Sequence, residues 1–151
     1  MRKFAVIPAL LAVFLAGAAV REVSGQSIVA TVPVASNEII NMHLYESGGK
    51  LFLADLDNDR ILVYSTLTFG FLQEIPLSSY LPFEPWSLEV RGSAGKLYVS
   101  MLNANWHSDT ASFILVIDAA TYAVDATIPL AYSGFLEFDE SHGRLYVYTI
   151  D

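Results

Sequence analysis

No cysteine occurs anywhere in the 151 residues. That excludes a thiolate nucleophile, a cysteine-ligated zinc, an iron–sulfur cluster and a disulfide framework within this stretch. Positive charge is scarce too, with 8 Lys and Arg against 16 Asp and Glu and a net charge of −8. Nucleic acids and anionic membranes are gripped by clustered Lys and Arg. No such cluster exists here, which argues against both as partners. Charged residues make up 16% of the chain and hydrophobic ones 54%, so a disordered tail is excluded as well. Gly-x-Ser-x-Gly, His-Glu-x-x-His and phosphate-binding glycine loops are all missing.

What is present begins with the N-terminus. Arg2 and Lys3 precede the apolar run Phe4 to Val20, and small and polar residues follow through Gly25. A basic start, an apolar centre and a small-residue exit read as a secretory signal peptide over residues 1–25. Candidate cuts fall after Ala18 or after Gly25. The alternative is an uncleaved anchor, but the run is 17 residues long with Pro8 inside it, at the short end for a bilayer span. Leu15-Ala16-Gly17 is followed by Ala18 where a bacterial lipoprotein box needs cysteine, so a lipid anchor at that point is excluded. The expected location is secreted or periplasmic, with no stable membrane anchor after cleavage. Removing residues 1–25 leaves 5 basic and 15 acidic side chains, a net charge of −10.

Internal repetition is the strongest signal beyond the leader. Gly49-Lys50-Leu51-Phe52-Leu53 recurs as Gly95-Lys96-Leu97-Tyr98-Val99 and as Gly143-Arg144-Leu145-Tyr146-Val147, at spacings of 46 and 48 residues. Ile61-Leu62-Val63-Tyr64 is matched by Ile114-Leu115-Val116-Ile117, and Ile75-Pro76-Leu77 by Ile128-Pro129-Leu130. Each element is short, rich in β-branched and aromatic residues, and bounded by Gly, Asn, Asp or Ser, so each reads as a strand. The first repeat predicts strands near Ile40–Tyr45, Lys50–Ala54, Arg60–Ser65 and Phe71–Ile75. The second predicts them near Trp86–Arg91, Lys96–Leu102, Ser112–Asp118 and Ala123–Pro129. A third supplies Gly134–Phe138 and Arg144–Thr149.

A four-stranded antiparallel unit of about 40–50 residues is the blade of a β-propeller. The expected fold is therefore all-β, an incomplete propeller of about two and a half blades. Residues 26–36 read as the outer strand of a closing blade, 37–77 as blade 1, 78–130 as blade 2 and 131–151 as the start of blade 3. Closed rings take about 4–8 blades, so the chain is expected to be the front part of a longer protein. Assembly from several short chains is the alternative.

Pro85-Trp86-Ser87-Leu88-Glu89-Val90, Gly95 to Ser100, Ile114 to Asp118 with Ala120-Thr121, and Ala126-Thr127-Ile128-Pro129 together resemble the YVTN-type propeller repeat. Leu53-Ala54-Asp55 and Asn58 to Tyr64 look more like an NHL repeat. The resemblance spans about Ser27 to Asp151. It implies a propeller and leaves the activity open, because these families include scaffolds, binding proteins and some enzymes.

Three groups of residues are candidates for chemistry. From Lys50 to Ile61 is 11 positions and from Lys96 to Ile114 is 18, so the second repeat carries 7 extra residues within Asn103–Ala111. Insertions of this kind map to one face, often the binding face. Asn103, Asn105, Trp106, His107 and Asp109 are thus candidate contacts for a protein or small-molecule ligand at one propeller face; a tolerated surface excursion is the plainer reading. Aligned through the Gly–basic turn, His43, Glu89 and Glu137 occupy equivalent positions on the first strand of each repeat. They would stand at one level of the central channel, where a divalent metal such as calcium or zinc would be held, as in propeller enzymes of similar architecture. A water-filled channel wall is the simpler account. Asp55-Leu56-Asp57-Asn58-Asp59 mimics half a calcium loop, but Arg60 and Thr66 stand where an EF-hand needs Gly and Glu. An Asp55–Arg60 brace across a tight turn is the preferred reading. These features point to a binding or interaction module acting outside the cytoplasm. The alternative is a metal-dependent hydrolase or lyase of lactonase-like architecture.

Overall fold

The computed structural model describes residues 2–6, 13–14, 30–105 and 111–149. The chain divides into two units, Met1–Asn37 and Glu38–Asp151. In the first, β1 (Arg2–Val6), β2 (Val13–Phe14) and β3 (Ala30–Val34) form an antiparallel sheet in the order β2-β1-β3. β3 is the strand expected within residues 26–36; its partner here is β1, in a register running from Arg2 opposite Val34 to Val6 opposite Ala30. β1 and β2 fall in the stretch read as a leader. An apolar run without period-two alternation does not announce a strand, so the residues alone gave no sign of either.

The second unit is all-β: two four-stranded antiparallel sheets and a two-stranded one. The first sheet runs β4 (Ile39–Tyr45), β5 (Lys50–Asp55), β6 (Arg60–Ser65) and β7 (Phe71–Pro76), each beside the next. The second repeats that order with β8 (Phe83–Arg91), β9 (Lys96–Asn103), β10 (Ser112–Asp118) and β11 (Val124–Leu130). The third is the hairpin β12 (Gly134–Asp139) with β13 (Arg144–Thr149). There is no α-helix among the described residues.

These bounds follow the sequence expectation closely, with one difference. β8 begins at Phe83 and runs through Pro85, three residues before the expected start. Its register with β9 shifts between Pro85 and Ser87. Such a bulge spares a proline from donating a ladder hydrogen bond, so the strand need not stop there.

The recurring glycine of each repeat has a backbone reason. Gly49, Gly95 and Gly143 turn the first strand of each sheet into the second, at φ 63°, 61° and 63°. L-residues enter this left-handed region only with strain, and glycine enters it freely.

One apolar cluster joins the first two sheets. Phe52, Ala54, Ile61, Val63 and Ile75 of the first pack with Leu88, Val90, Leu97, Val99, Leu115 and Ile117 of the second. Strand residues alternate between faces, so each sheet presents a trailing face to the sheet after it. The first strands stand side by side, β4 against β8 and β8 against β12. Polar side chains on the trailing faces complete this seam. Leu88 N–H donates to Asn41 Oδ1 at 3.2 Å, and one repeat later Leu136 N–H donates to Ser87 Oγ at 3.1 Å. Lys50 reaches forward to the Ala119 carbonyl at 2.6 Å and lies over the Tyr122 ring. Between the second and third sheets, Tyr98 stacks on Phe138, whose ring also lies under Arg91.

Candidate functional site

The connection after β9 departs furthest from the repeat. In the first sheet, Asp55 and Arg60 are paired directly, and only Leu56–Asp59 lie between β5 and β6. In the second, the chain leaves β9 at the buried Asn103 and rejoins the sheet at Ser112. The exit is pinned twice: Asn105 N–H donates to Asn103 Oδ1 at 2.8 Å, and Ala104 N–H donates to the Pro82 carbonyl at 2.8 Å. Asn103 thus serves as the root of the loop, its side chain shaping a turn. Trp106, His107 and Asp109 lie outside the described residues.

The rim at this root is acidic. Glu84 pairs with Leu102 one step in from Asn103. Burial pushes its carboxyl up from the ordinary value, and the negative charges of Asp59 and Glu38 push it the same way. Glu84 belongs to β8, Asp59 to the turn between β5 and β6, and Glu38 to the residues just before β4. No linear motif joins them, so the sequence gives no sign that they gather.

The level across the first strands is partly assembled. His43 Nδ1 lies 3.3 Å from Glu89 Oε2, and Glu89 is buried. Glu137, the equivalent residue of the third sheet, is exposed and stands opposite Tyr146 in its hairpin. Among the described residues, no three His, Cys, Asp or Glu side chains gather closely enough to hold a metal ion.

The Asp-rich turn forms the expected brace. Asp55 is fully buried and accepts Arg60 Nε at 2.8 Å and Asn58 Nδ2 at 3.0 and 3.1 Å. Arg60 also donates to Glu74 at 2.6 Å, and its hydrogen bond to Asp55 holds the guanidinium above its ordinary value. A carboxylate whose oxygens already take a guanidinium and an amide has little left for calcium. In the second sheet the corresponding ion pair sits at the other end: Lys96 donates to Asp118 at 2.8 Å and to Asp125 at 2.6 Å.

No protein-family model and no curated protein matches this chain.

Proposed function

We propose that this chain is an extracytoplasmic binding or interaction module of the β-propeller kind, with the loop rooted at Asn103 as its contact surface. The observation that carries this reading is the departure from repetition at one place. Two sheets share strand order and turn glycines, yet one of them carries a long connection pinned at its base beside an acidic rim. Loops held on a rigid scaffold are where binding residues concentrate. First strands standing side by side, with the resemblance to YVTN and NHL repeats, support the propeller. The rim's charge favours neutral or cationic partners over anionic ones. The extracytoplasmic setting rests on the Arg2 to Gly25 pattern. N-terminal sequencing of the exported protein is expected to begin at Ala19 or Gln26.

The binding reading is tested with Trp106 as reporter. The chain has 2 tryptophans, so Trp86→Phe leaves Trp106 as the sole indole. Neutral oligosaccharides and Lys-rich peptides are then titrated in turn. A saturable fluorescence change that is lost on Asn103→Ala or Asp109→Ala supports the loop as the contact surface. No saturable change with either class counts against it.

A further inference from the structure

β3 has counterparts in the repeats. Val32-Pro33-Val34 matches Ile75-Pro76-Leu77 at the end of β7 and Ile128-Pro129-Leu130 at the end of β11. Each counterpart belongs to the outer strand of its sheet and pairs antiparallel with the third strand, Pro76 opposite Arg60 and Pro129 opposite Phe113. β3 pairs antiparallel with β1, and the register is the same. Lys3 stands opposite Pro33 as Arg60 does opposite Pro76, and Phe4 opposite Val32 as Ile61 does opposite Ile75. Ala5 and Val6 continue the match to Leu62 and Val63. Lys3-Phe4-Ala5-Val6 and Arg60-Ile61-Leu62-Val63 are also alike as sequences, a basic residue leading three apolar ones.

We propose that the N-terminal segment stands in for a third repeat strand, holding the edge of β3 until export removes it. Cleavage then frees Ala30–Val34 to accept a repeat strand of the β6 kind in the same register. This rests on the reading of residues 1–25 as a leader: either cut, after Ala18 or after Gly25, takes away β1 and β2 together. In the order β2-β1-β3, β1 is the one neighbour of β3 among the described residues, so its loss opens the ladder. Proline explains why leader and repeat strand compete for a single edge. Pro33 has no N–H to donate, so the edge that Val32 and Val34 face is the one with every donor in place. β7 uses that edge, since Leu77, next to Pro76, donates its amide to the Asp59 carbonyl at 2.8 Å. One strand at a time fills it. An open edge rich in β-branched residues invites pairing with other chains, and Thr31, Val32 and Val34 are of that type. Holding it closed before export defers such pairing to the compartment where the protein works.

A synthetic peptide with the sequence Asp59 to Ser65 is the probe. It is titrated into the full chain, the Ala5→Pro variant of the full chain, and the exported, cleaved protein. Ala5→Pro removes an amide from β1 and breaks its ladder. Saturable binding is expected to the variant and to the cleaved protein, about tenfold or more tighter than to the full chain, because strand addition draws its affinity from main-chain hydrogen bonds. Amide exchange at Val32 and Val34 is expected to be slow in the full chain, fast in Ala5→Pro and slow again once peptide is bound. Adding Val32→Pro to Ala5→Pro abolishes binding, while far-UV circular dichroism checks that the remaining sheets persist. Equal binding to the full chain and to Ala5→Pro overturns the proposal. So does no binding to either, or exchange at Val32 and Val34 that Ala5→Pro leaves unchanged. N-terminal sequencing keeps the two readings apart: an exported chain that retains residues 1–25 defeats the leader and its release, whereas the Ala5→Pro comparison decides by itself whether β1 holds the edge.

Discussion

Ser87 accepts, on its side-chain oxygen, the backbone amide of Leu136 from the following repeat. Asn41 does the same for Leu88 one repeat earlier. The two acceptors occupy equivalent positions, as do the two donors. Without them the amides of Leu88 and Leu136 would face the seam between sheets unsatisfied. Leaving such a buried donor without a partner costs about 1–3 kcal/mol. Ser87→Ala and Asn41→Ala are each expected to lower unfolding free energy by roughly that amount, measured by urea denaturation. Unchanged midpoints in both variants would refute the account.

Gly95→Ala should cost about 1–2 kcal/mol, because the added side chain sits at positive φ. There its Cβ would also lie 3.4 Å from Tyr45 Oη. Gly49→Ala, whose Cβ meets only Thr66 Oγ1 at 3.8 Å, isolates the backbone part of that cost. Thermal melts of the two variants compare the contributions, with Gly95→Ala expected to melt no higher than Gly49→Ala.

Asp55→Ala is expected to be among the most damaging single changes outside the apolar core. It removes the fully buried carboxylate that Asn58 and Arg60 share, leaving Arg60 with Glu74. Breaking a buried pair costs about 3–5 kcal/mol; Arg60 retains some solvent, so roughly 2–3 kcal/mol is the expected loss. Asp55→Asn, which keeps an acceptor, should lose less. Chemical denaturation of both variants gives the comparison, and equal losses would show that the brace is not electrostatic.

Acid should unfold the protein. Lys96, followed by the amides of Thr121 and Ala120, holds the Asp118 carboxyl far below its ordinary value. Ser141 and His142 lower Asp139, and Ser93 lowers Glu140. In the unfolded chain these groups take up protons near pH ~4. Below that value, down to the folded pKa, the unfolded state binds more protons, so stability present at neutral pH is lost as pH falls. Glu84, shifted upward, works in the opposite sense but alone. The melting temperature is therefore expected to decline below about pH 4, and less steeply in Asp118→Asn. A melting temperature that climbs on acidification would contradict this.

Strands were legible wherever a local signature recurred. The Gly-basic-Leu-aromatic run announces the hairpin because its glycine is a backbone requirement and its alternation sorts two faces. The side-by-side level of His43 and Glu89 was legible by counting from that turn. Other features depend on what lies across a seam. Nothing in the residues around Asn41 or Ser87 says that each caps the next repeat, since that needs the distance between sheets. The early start of β8 was hidden by Pro85, which a bulge accommodates. Glu38 and Asp59 act on Glu84 from distant parts of the chain, and charge proximity of that kind leaves no periodic trace.

The Asn41 and Ser87 caps also give the array a direction. At both of these positions the capping side chain comes from the preceding repeat. In a chain emerging from the ribosome, Asn41 and Ser87 are therefore in place before the Leu88 and Leu136 amides that need them arrive.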